Sequence, residues 1–547
     1  MAKTIILGAK YSMDLSTELQ ATLIDVPDLY VNDYGAVNDF IVDKLKLAFD
    51  ILIIDAENIR DSELALTLAL YVRLSVVEIG ANALNPIIIA SDKPIKSFLR
   101  LGGCSQLLLS KNVYFQPRTA IMANAVEPLD AKKYREDFLD YIIVQSGPDV
   151  GRHSIANQWG AGVIERLLNG GVLSENAVIK SAFKSLYFKY VLAKNIDVAD
   201  YLLGKQNKRF YIQSYRPING KGKRILLIDD EADKGWEYVL RKLIATDEND
   251  FNVISHKVED FFGFTGEEQS QIIEGDYDLI FLDLRMNGVE EESVYRPEDF
   301  SGMKILKEIK QKSIGTQVIM LTASTKAWNL KALLEAGADG FYIKESPEYN
   351  FSIKFSEANL ESLRKSIKVC LNRTYLRQVD KTIKDIRKDL LKSKYEQQFK
   401  YSIVKQIEGS FSVLLDGYFA FAFVTLCQTI EMINSHYLKQ GDDNMWYFME
   451  SGEQAKNWSV GNAKKECREI TFTDSDKKEK YPEWKKAASI YYQLWQQVDL
   501  KFGEKLQSLI EQRNYYMHND PRLSNDINTP VPYLELMDVV VEMCSNI

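Results

Sequence analysis

Polar residues follow four apolar runs in the middle of the chain, and together they are able to bind and transfer a phosphoryl group. RILLIDD ends in Asp229 and Asp230, LIFLDL contains Asp283, VIMLTAS contains Thr322, and GFYIKE contains Lys344. Because the carboxyl ends of parallel strands meet at one edge of an open sheet, we expect these side chains to lie together. Three carboxylates form a hard oxygen site for Mg²⁺, and a hydroxyl and an ammonium group beside them bind phosphoryl oxygens.

This segment closely resembles the receiver domain of two-component response regulators, over about 125 residues. The resemblance implies that Asp283 accepts a phosphoryl group from the phosphohistidine of a sensor histidine kinase or a phosphotransfer protein. It also implies that Asp229, Asp230 and the backbone carbonyl of Arg285 hold Mg²⁺. The alternative, in which these acids only end strands, explains single residues but not the whole set.

The same resemblance implies that Thr322 and Lys344 hold the phosphoryl oxygens, and that Phe341 is the aromatic residue that moves between two states. Two residues depart from the receiver pattern, because Asn287 and Glu345 stand where receivers usually have proline. An acidic stretch, VEEESVYRPEDF, also lengthens the loop after Asp283. These departures bear on the rate and lifetime of phosphorylation more than on its chemistry.

The elements that position these residues are strands alternating with helical segments, which predicts a parallel sheet with crossover helices. An earlier segment shows the same alternation in KTIILG, FDILIIDA, NPIIIASD and QLLLS. It looks like a degenerate receiver, in which Asp55, Ser91 and Lys111 follow apolar runs but Lys10 lies where the acidic pair is expected. We favour a pseudo-receiver used for contact, with an active receiver and an unrelated α/β module as alternatives.

Helical periodicity accounts for the remaining chain, and the predicted fold is multidomain: two flavodoxin-like, receiver-like parallel-sheet domains, a helical connector and a C-terminal helical bundle. Apolar positions from Leu360 to Leu390 predict one long amphipathic linker helix. The segment Gly151–Gly160 contains His153 and has no assignable chemistry; a buried polar corner is expected there, with Ser154 capping a helix. The predicted domains are residues 1–118, 119–221, 222–348, 349–395 and 396–547.

A second set of candidate residues lies near the C-terminus, where SLIEQRNYYMHNDP places Arg513 and His518 five residues apart on a helix, with Asn514 between them. The RNxxxH arrangement in a late helix resembles the HEPN superfamily, which includes metal-independent ribonucleases with a site shared by two paired bundles. The resemblance implies that His518 acts on the ribose hydroxyl or the leaving oxygen, Arg513 stabilises the scissile phosphate and Asn514 positions one of them. A histidine and a guanidinium suit that chemistry.

Two other interpretations of this motif remain open: a non-catalytic HEPN module for binding or dimerisation, and an ordinary surface arginine with a histidine at a helix end. Residues 351–400 contain 13 Lys and Arg against 6 Asp and Glu. That local excess is able to guide RNA toward the bundle, although a solvated helix face explains it equally well.

Composition sets limits on the function. The 547 residues predict three to five domains, and the net charge of -9 excludes a global positive field for nucleic acid or membrane. Five widely separated cysteines without a CxxC pair argue against disulfides and zinc knuckles. The N-terminus has no signal-peptide layout and no apolar run reaches membrane-spanning length, so a cytoplasmic protein without a membrane partner is expected.

These observations predict a phosphorylation-controlled ribonuclease in a defence or stress response. Its receiver would use Mg²⁺, its HEPN site would need no cofactor, and its partners would be a kinase, RNA and a second copy of the chain. The alternative is a non-enzymatic response regulator whose bundle binds a protein or nucleotide. A transcriptional regulator is disfavoured because no helix-turn-helix pattern follows the receiver.

Overall fold

Two compact units make up the protein, and each is described by itself. The first comprises Met1–Glu308 and Val318–Leu371, and the second comprises Ile309–Gln317 and Asn372–Ile547. The computed structural model describes residues 3–121, 127–146, 152–169, 176–204, 215–287, 294–349, 351–392, 394–460, 472–474, 482–517 and 528–547.

The first sheet of unit one is parallel throughout, with strand order β2-β1-β3-β4-β5. Its central strands are fully buried because helices cover both faces, as expected of an α/β domain. The strands are β1 Thr4–Gly8, β2 Thr22–Asp25, β3 Ile51–Asp55, β4 Ile87–Ala90 and β5 Val113–Gln116. The helices are α1 Met13–Glu18, α2 Tyr34–Lys44, α3 Ser62–Leu74, α4 Val76–Ile79, α5 Ile95–Leu99 and α6 Tyr134–Asp137.

The predicted strand QLLLS is wrong, because these residues belong to a 3-10 helix, Gly102–Leu109. The fifth strand is VYFQ, which starts at Val113 and pairs with β4. A short apolar run is compatible with either a strand or a buried helical segment, and periodicity alone does not separate the two. Strand β2 is an edge strand whose residues are all exposed or only partly buried, which explains why no long apolar run marks it.

A helical connector follows, formed by α7 Arg152–Leu168, α8 Ala177–Phe183, α9 Leu186–Asn195 and α10 Val198–Leu202. Helix α7 contributes to two hydrophobic cores. Ile155 and Trp159 pack into the core of the first sheet, and Ala161 and Ile164 pack into the core of the second. The predicted cap at Ser154 is wrong, because α7 already begins at Arg152.

The second sheet has order β12-β11-β10-β7-β9, the same 2-1-3-4-5 order as the first, and its adjacent strands are parallel. The predicted fold of two flavodoxin-like domains is therefore confirmed. The strands of the second sheet are β7 Ile225–Ile228, β9 Phe251–Ile254, β10 Leu279–Asp283, β11 Val318–Thr322 and β12 Gly340–Ile343. Two short strands, β6 Ile218–Asn219 and β8 Ile244–Ala245, pair with each other in a separate parallel sheet. The helices are α11 Trp236–Leu243, α12 Gly266–Glu274, α13 Ser301–Lys312, α14 Ala327–Glu335 and α15 Ile353–Asn372.

The single long linker helix is wrong, because α15 ends at Asn372 and a second helix, α16, spans Tyr375–Leu390. Residues of α15 such as Leu363 belong to the core around the second sheet, whereas residues of α16 such as Val379 belong to the core of unit two. Leu371 and Leu376 are five residues apart, whereas apolar residues on one face of a helix recur every three or four residues. This irregular spacing marks the break between the two helices.

Unit two is mainly helical around one apolar core. Its further helices are α17 Gln397–Leu415, α18 Phe419–Tyr437, α19 Glu483–Ser489, α20 Leu500–Met517 and α21 Val531–Cys544, and its strands are β13 Leu438–Gln440, β14 Trp446–Phe448, β15 Trp458–Val460 and β16 Phe472–Asp474. In the described ranges of the whole chain, no single helix is long and apolar enough to cross a membrane. One bent pair, Ser62–Leu74 with Val76–Leu84, meets that criterion by length and composition.

We predict that Arg73→Met destabilises the first sheet. The buried Arg73 guanidinium donates hydrogen bonds to the carbonyls of Ala83, Asn85 and Asn112 at 2.6, 2.8 and 2.9 Å. Removing it leaves three acceptors without this donor, which costs about 3 kcal/mol or more of local stability. Hydrogen exchange of the β4 amides should accelerate in Arg73→Met and stay unchanged in Arg135→Met, whose side chain is exposed. Equal exchange rates in both variants would contradict this assignment.

Candidate phosphorylation site

The polar residues predicted from the sequence lie at the carboxyl edge of the second sheet. Asp229 and Asp230 directly follow β7, Asp283 ends the neighbouring β10, and Lys344 follows β12. The Lys344 Nζ atom lies 2.8 Å from Asp229 Oδ2 and 3.1 Å from Asp283 Oδ1. The parallel register therefore brings together groups that are 54 to 115 residues apart.

Burial makes the charges of this site interdependent. Asp283 is 1% exposed, and Asp229 and Lys344 are 0% exposed. Burial alone would raise the pKa of Asp283, but Lys344 and His153 lower it below its ordinary value. Burial also raises the pKa of Asp229 above its ordinary value, which Lys344 only partly offsets. The pKa of Lys344 is raised, because the two carboxylates outweigh the effect of its burial.

The carboxylates also offer oxygen atoms to a cation. Both Asp230 side-chain oxygens and Asp283 Oδ2 are buried, with no hydrogen-bond partner among the described residues. Unpartnered carboxylate oxygens at one sheet edge match the oxygen ligands that Mg²⁺ prefers. Arg285 lies in the loop after β10, and its guanidinium lies 5.2 Å from the ring centre of Phe300. Asp230 and Asp283 are therefore the side chains that offer oxygens to Mg²⁺, whereas the two Asp229 oxygens accept hydrogen bonds from the Glu231 amide and from Lys344.

The remaining receiver-like residues occupy the neighbouring strand ends. Thr322 is buried at the end of β11, and its hydroxyl accepts a hydrogen bond from the Ser324 amide at 3.0 Å. Phe341 is half-buried on β12. Glu345, which departs from the receiver pattern, accepts a hydrogen bond from Ser356 at 2.6 Å, and burial raises its pKa. This contact ties the end of β12 to the start of α15.

The structure adds one residue to the site that the sequence analysis left without chemistry, His153 on helix α7. Its Nε2 atom lies 3.2 Å from Asp283 Oδ2 and 3.6 Å from Asp230 Oδ1. Burial alone would lower the pKa of His153, but Asp283 and Asp230 raise it to about 10. His153 and Asn157 are four residues apart on α7 and therefore share a helix face. Within the sequence, this four-residue spacing is the one indication that both side chains contact the same site, because their partners are 74 to 187 residues away.

The corresponding edge of the first sheet carries one buried acid, Asp55. It accepts hydrogen bonds from Ser12 at 2.7 Å, Asn58 at 2.9 Å and Arg118 at 3.2 Å. Arg118, which the sequence analysis missed because it lies beyond the misassigned strand, supplies the positive charge there. Lys111 was expected near Asp55, but it precedes β5 and pairs with Asp137 at 2.6 Å.

The hydroxyl predicted for the first domain, Ser91, donates a hydrogen bond to Glu57 at 2.5 Å. This bond lowers the pKa of Glu57. Lys10 is exposed and lies in a 3-10 helix after β1, where the second sheet has its acidic pair. The first domain therefore keeps an acid at the end of its third strand but lacks the acidic pair beside it.

The C-terminal candidate residues are only partly described. Arg513, in α20, forms an ion pair with Glu431 of α18 and contacts the Asn514 side-chain oxygen at 3.3 Å. Glu431 also lines a groove together with Phe399, Gln406, Gln428, Met432, Ser435 and His436. His518 lies outside the described residues. The predicted site formed by Arg513, Asn514 and His518 therefore stays a prediction.

Comparisons with known proteins agree with the two sheets. Residues 225–352 match the response regulator receiver domain family, and residues 16–116 match the inactive receiver domain family. The nitrate/nitrite response regulator NarP of Escherichia coli (strain K12) is 35% identical over 71 residues, which is 13% of this chain and 28% of NarP. A nitrate/nitrite response regulator homolog of Haemophilus influenzae is 27% identical over 125 residues, which is 22% of this chain and 50% of that protein.

Among solved structures, NtrX from Brucella abortus matches with 15% identity and a TM-score of 0.20, covering 43% of this chain and 49% of NtrX. This chain spans half or less of the length of the curated relatives it matches. The predicted resemblance of both α/β domains to receivers is confirmed, including the degenerate character of the first. The HEPN resemblance stays a prediction.

We predict that only the second domain forms an aspartyl phosphate. With phosphoramidate and Mg²⁺, the alkali-labile phosphoryl label should be lost in Asp283→Asn and kept in Asp55→Asn, because Arg118 already neutralises Asp55. Label is measured as the mass gain of the intact protein before and after mild alkali. Loss of the alkali-labile label in Asp55→Asn, with Asp283 intact, would contradict the prediction.

Proposed function

We propose that this chain, which contains a response regulator receiver domain and an inactive receiver domain, is a phosphorylation-controlled regulator that uses Asp283 as its phosphoryl acceptor. The observation that carries the proposal is the buried Asp283 carboxylate, paired with Lys344 and flanked by unpartnered oxygens of Asp230. The phosphoryl donor would be a phosphohistidine of a sensor histidine kinase or a phosphotransfer protein.

Each side chain of the site has a distinct part in the transfer. A carboxylate oxygen of Asp283 attacks the phosphorus atom, and the donor nitrogen leaves with the electron pair of the broken bond. The ammonium of Lys344 and the hydroxyl of Thr322 bind phosphoryl oxygens, since phosphoryl transfer depends mainly on positioning and electrostatic stabilisation. A Mg²⁺ ion held by Asp229, Asp230 and the Arg285 carbonyl would neutralise the charge that gathers there.

Phosphorylation would then change the state of the receiver. Lys344 pairs with two carboxylates in the unphosphorylated site, so an added phosphoryl group competes for its ammonium. Thr322, beside β12, and Phe341, within it, would follow the phosphoryl group and shift between two positions. Such a two-state element is what a phosphorylation switch needs.

We further propose that residues 396–547 are a HEPN effector that cleaves RNA in a defence or stress response. The motif RN at Arg513 with His518 supports this proposal, as does the mainly helical fold of unit two. His518 would act as acid or base on the ribose or leaving oxygen, Arg513 would stabilise the phosphate, and Asn514 would position one of them. A second copy of the chain would complete the site, and the basic segment 351–400 would attract RNA.

One observation favours the alternative, a non-enzymatic response regulator whose bundle binds a protein or nucleotide. The Arg513 guanidinium already forms an ion pair with Glu431, so a phosphate has to compete with that carboxylate. An arginine held in this way is equally suited to fixing α18 against α20.

The first test is cleavage of total RNA by the purified protein. We expect cleavage by the wild type, loss of cleavage in Arg513→Ala/His518→Ala, and full activity in Lys501→Ala, an exposed residue of the same helix. Fragment lengths on a denaturing gel report the result, with added EDTA to check metal independence. Equal inertness of the wild type and the double variant would favour the binding module.

The second test concerns control by phosphorylation. Cleavage should change when phosphoramidate and Mg²⁺ are added to the wild type, and it should stay at the unphosphorylated level in Asp283→Asn. The direction of the change gives the sign of regulation. A nuclease that responds equally to the donor with and without Asp283 would refute control through this residue while leaving the nuclease itself intact.

A further inference from the structure

Helix α7 covers the carboxyl edge of the second sheet, where Asp283 and Lys344 lie. Asp283 and Thr322 are 1% exposed and Lys344 is 0% exposed, with His153, Ser154 and Asn157 of α7 in contact with the site. A phosphohistidine of another protein has to reach Asp283 Oδ2, the oxygen next to His153. Direct transfer from outside therefore requires α7 to leave first.

The group that covers Asp283 is itself an imidazole, the chemical class from which a receiver aspartate takes its phosphoryl group. His153 is 4% exposed; its Nε2 atom faces the Asp283 and Asp230 carboxylates, whereas its Nδ1 atom has no hydrogen-bond partner among the described residues. Burying an imidazole with one ring nitrogen unpartnered is costly, so close packing alone does not account for this residue. Its Nε2 atom points to the acceptor oxygen at 3.2 Å.

Neighbouring residues fix α7 in a defined register over the site. One turn beyond His153, the Asn157 side-chain oxygen accepts a hydrogen bond from Lys344 Nζ at 2.5 Å, and its nitrogen donates to Glu231 at 2.6 Å. The Ser154 hydroxyl also donates to Glu231. These contacts align His153 with Asp283 and place Asn157 on the ammonium that would hold the phosphoryl oxygens.

A glycine permits this close approach. A Cβ atom at Gly160 would lie 3.2 Å from Trp236 Cζ2 and 3.3 Å from the backbone nitrogen of Glu345, which follows Lys344. These distances are tighter than ordinary van der Waals contact. The absence of a side chain at Gly160 lets α7 lie directly against the end of β12.

From this geometry we propose that His153 is a phosphotransfer residue, which carries a phosphoryl group and passes it to Asp283 of the same chain. The inference rests on the proposed function of Asp283 as acceptor. Phosphohistidine protonated at Nδ1 reacts with the Asp283 carboxylate: the Nε2–P bond breaks, its electron pair stays on nitrogen, and an O–P bond forms. The products are the aspartyl phosphate and neutral imidazole, so charge and atoms balance.

The 3.2 Å contact corresponds to the state in which neither residue carries a phosphoryl group, since it leaves no room for phosphorus between nitrogen and oxygen. When the start of α7 moves outward, His153 leaves the two carboxylates, and the Nε2 lone pair of its neutral imidazole attacks phosphorus. The donor is ATP on a histidine kinase, which releases ADP, or in vitro phosphoramidate, which releases ammonia. The position near the start of a 17-residue helix favours an anionic group there. Return of α7 then brings the phosphohistidine to Asp283.

The test uses the different stabilities of the two phosphoryl linkages, since phosphohistidine survives alkali and aspartyl phosphate does not. The full-length protein is labelled with phosphoramidate in EDTA, freed of donor by desalting, and then given Mg²⁺. We expect an alkali-stable label at His153, located by mass spectrometry, to move to an alkali-labile label at Asp283. First-order kinetics independent of protein concentration identify transfer within one chain.

Variants assign the residues. Asp283→Asn should keep the label at His153 after Mg²⁺ is added, and Asp283→Asn/His153→Gln should lose the label at that position. Asp283→Asn/His256→Gln is the matched control, because His256 is a half-exposed histidine of the receiver domain and should not matter. Asn157→Ala should still be labelled at His153 but should slow the transfer to Asp283 roughly tenfold, because a hydrogen bond to a charged group is lost.

Different results would refute the transfer role of His153 and the acceptor role of Asp283. If the wild type forms aspartyl phosphate but His153 never carries label, or its label never moves to Asp283, the transfer role is refuted; an equal or faster rate in His153→Gln then shows that His153 only blocks the site. Circular dichroism checks that His153→Gln is folded. If neither the wild type nor His153→Gln forms aspartyl phosphate, the proposed function of Asp283 itself fails.

Discussion

The buried ammonium of Lys344 is the interaction on which the rest of the receiver domain depends. Moving a carboxylate from water into a protein interior is costly, and breaking a buried ion pair costs about 3–5 kcal/mol because one charge is left alone. Asp229 and Asp283 are both buried beside Lys344, and Asp230 adds a third carboxylate without hydrogen bonds. One lysine does not balance three acids, so the site favours further positive charge. Mg²⁺ and the imidazolium of His153 both meet that need.

The first sheet balances its buried negative charge in a different way. It buries one acid, Asp55, and neutralises it with the guanidinium of Arg118 and hydrogen bonds from Ser12 and Asn58. An arginine remains charged at any physiological pH and binds its carboxylate through fixed donors. This arrangement is complete without a cation or a phosphoryl group. The two domains thus share a fold and strand order, and they differ in the number of acids at the sheet edge.

The sequence was sufficient for the parts of the structure that repeat a local pattern. Buried strands such as β7 and β10 are continuous apolar runs, and the acids at their ends follow from the parallel sheet. The edge strands β2 and β9 are partly exposed and carry no such run, so they were missed. QLLLS was misassigned because a short apolar run fits a buried 3-10 helix equally well. The error hid Arg118, since the true fifth strand ends just before it.

The position of His153 beside Asp283 is not predictable from the sequence, for a different reason. Its partners Asp230 and Asp283 lie on other elements, and nothing within α7 marks the helix face that will meet them. Local chemistry predicted a capping serine in this segment, whereas the Ser154 hydroxyl binds Glu231 in the following domain. Long-range contacts of this kind depend on how a connector packs, which is decided by apolar residues elsewhere on the same helix.

The packing of α7 links the two receiver-like domains of unit one. Trp159 of α7 stacks on Phe183 and Phe188 in the core of the first sheet, and Ile164 of the same helix packs in the core of the second. A helix moves as a rigid element, so lifting His153 from Asp283 also disturbs the aromatic stack on the other side. The contacts of α7 with Glu231 and Lys344 hold this position, and a phosphoryl group that draws Lys344 away from Asn157 would remove one of them. Under the proposed function, phosphorylation of Asp283 would thereby be coupled to the core of the inactive receiver domain through α7.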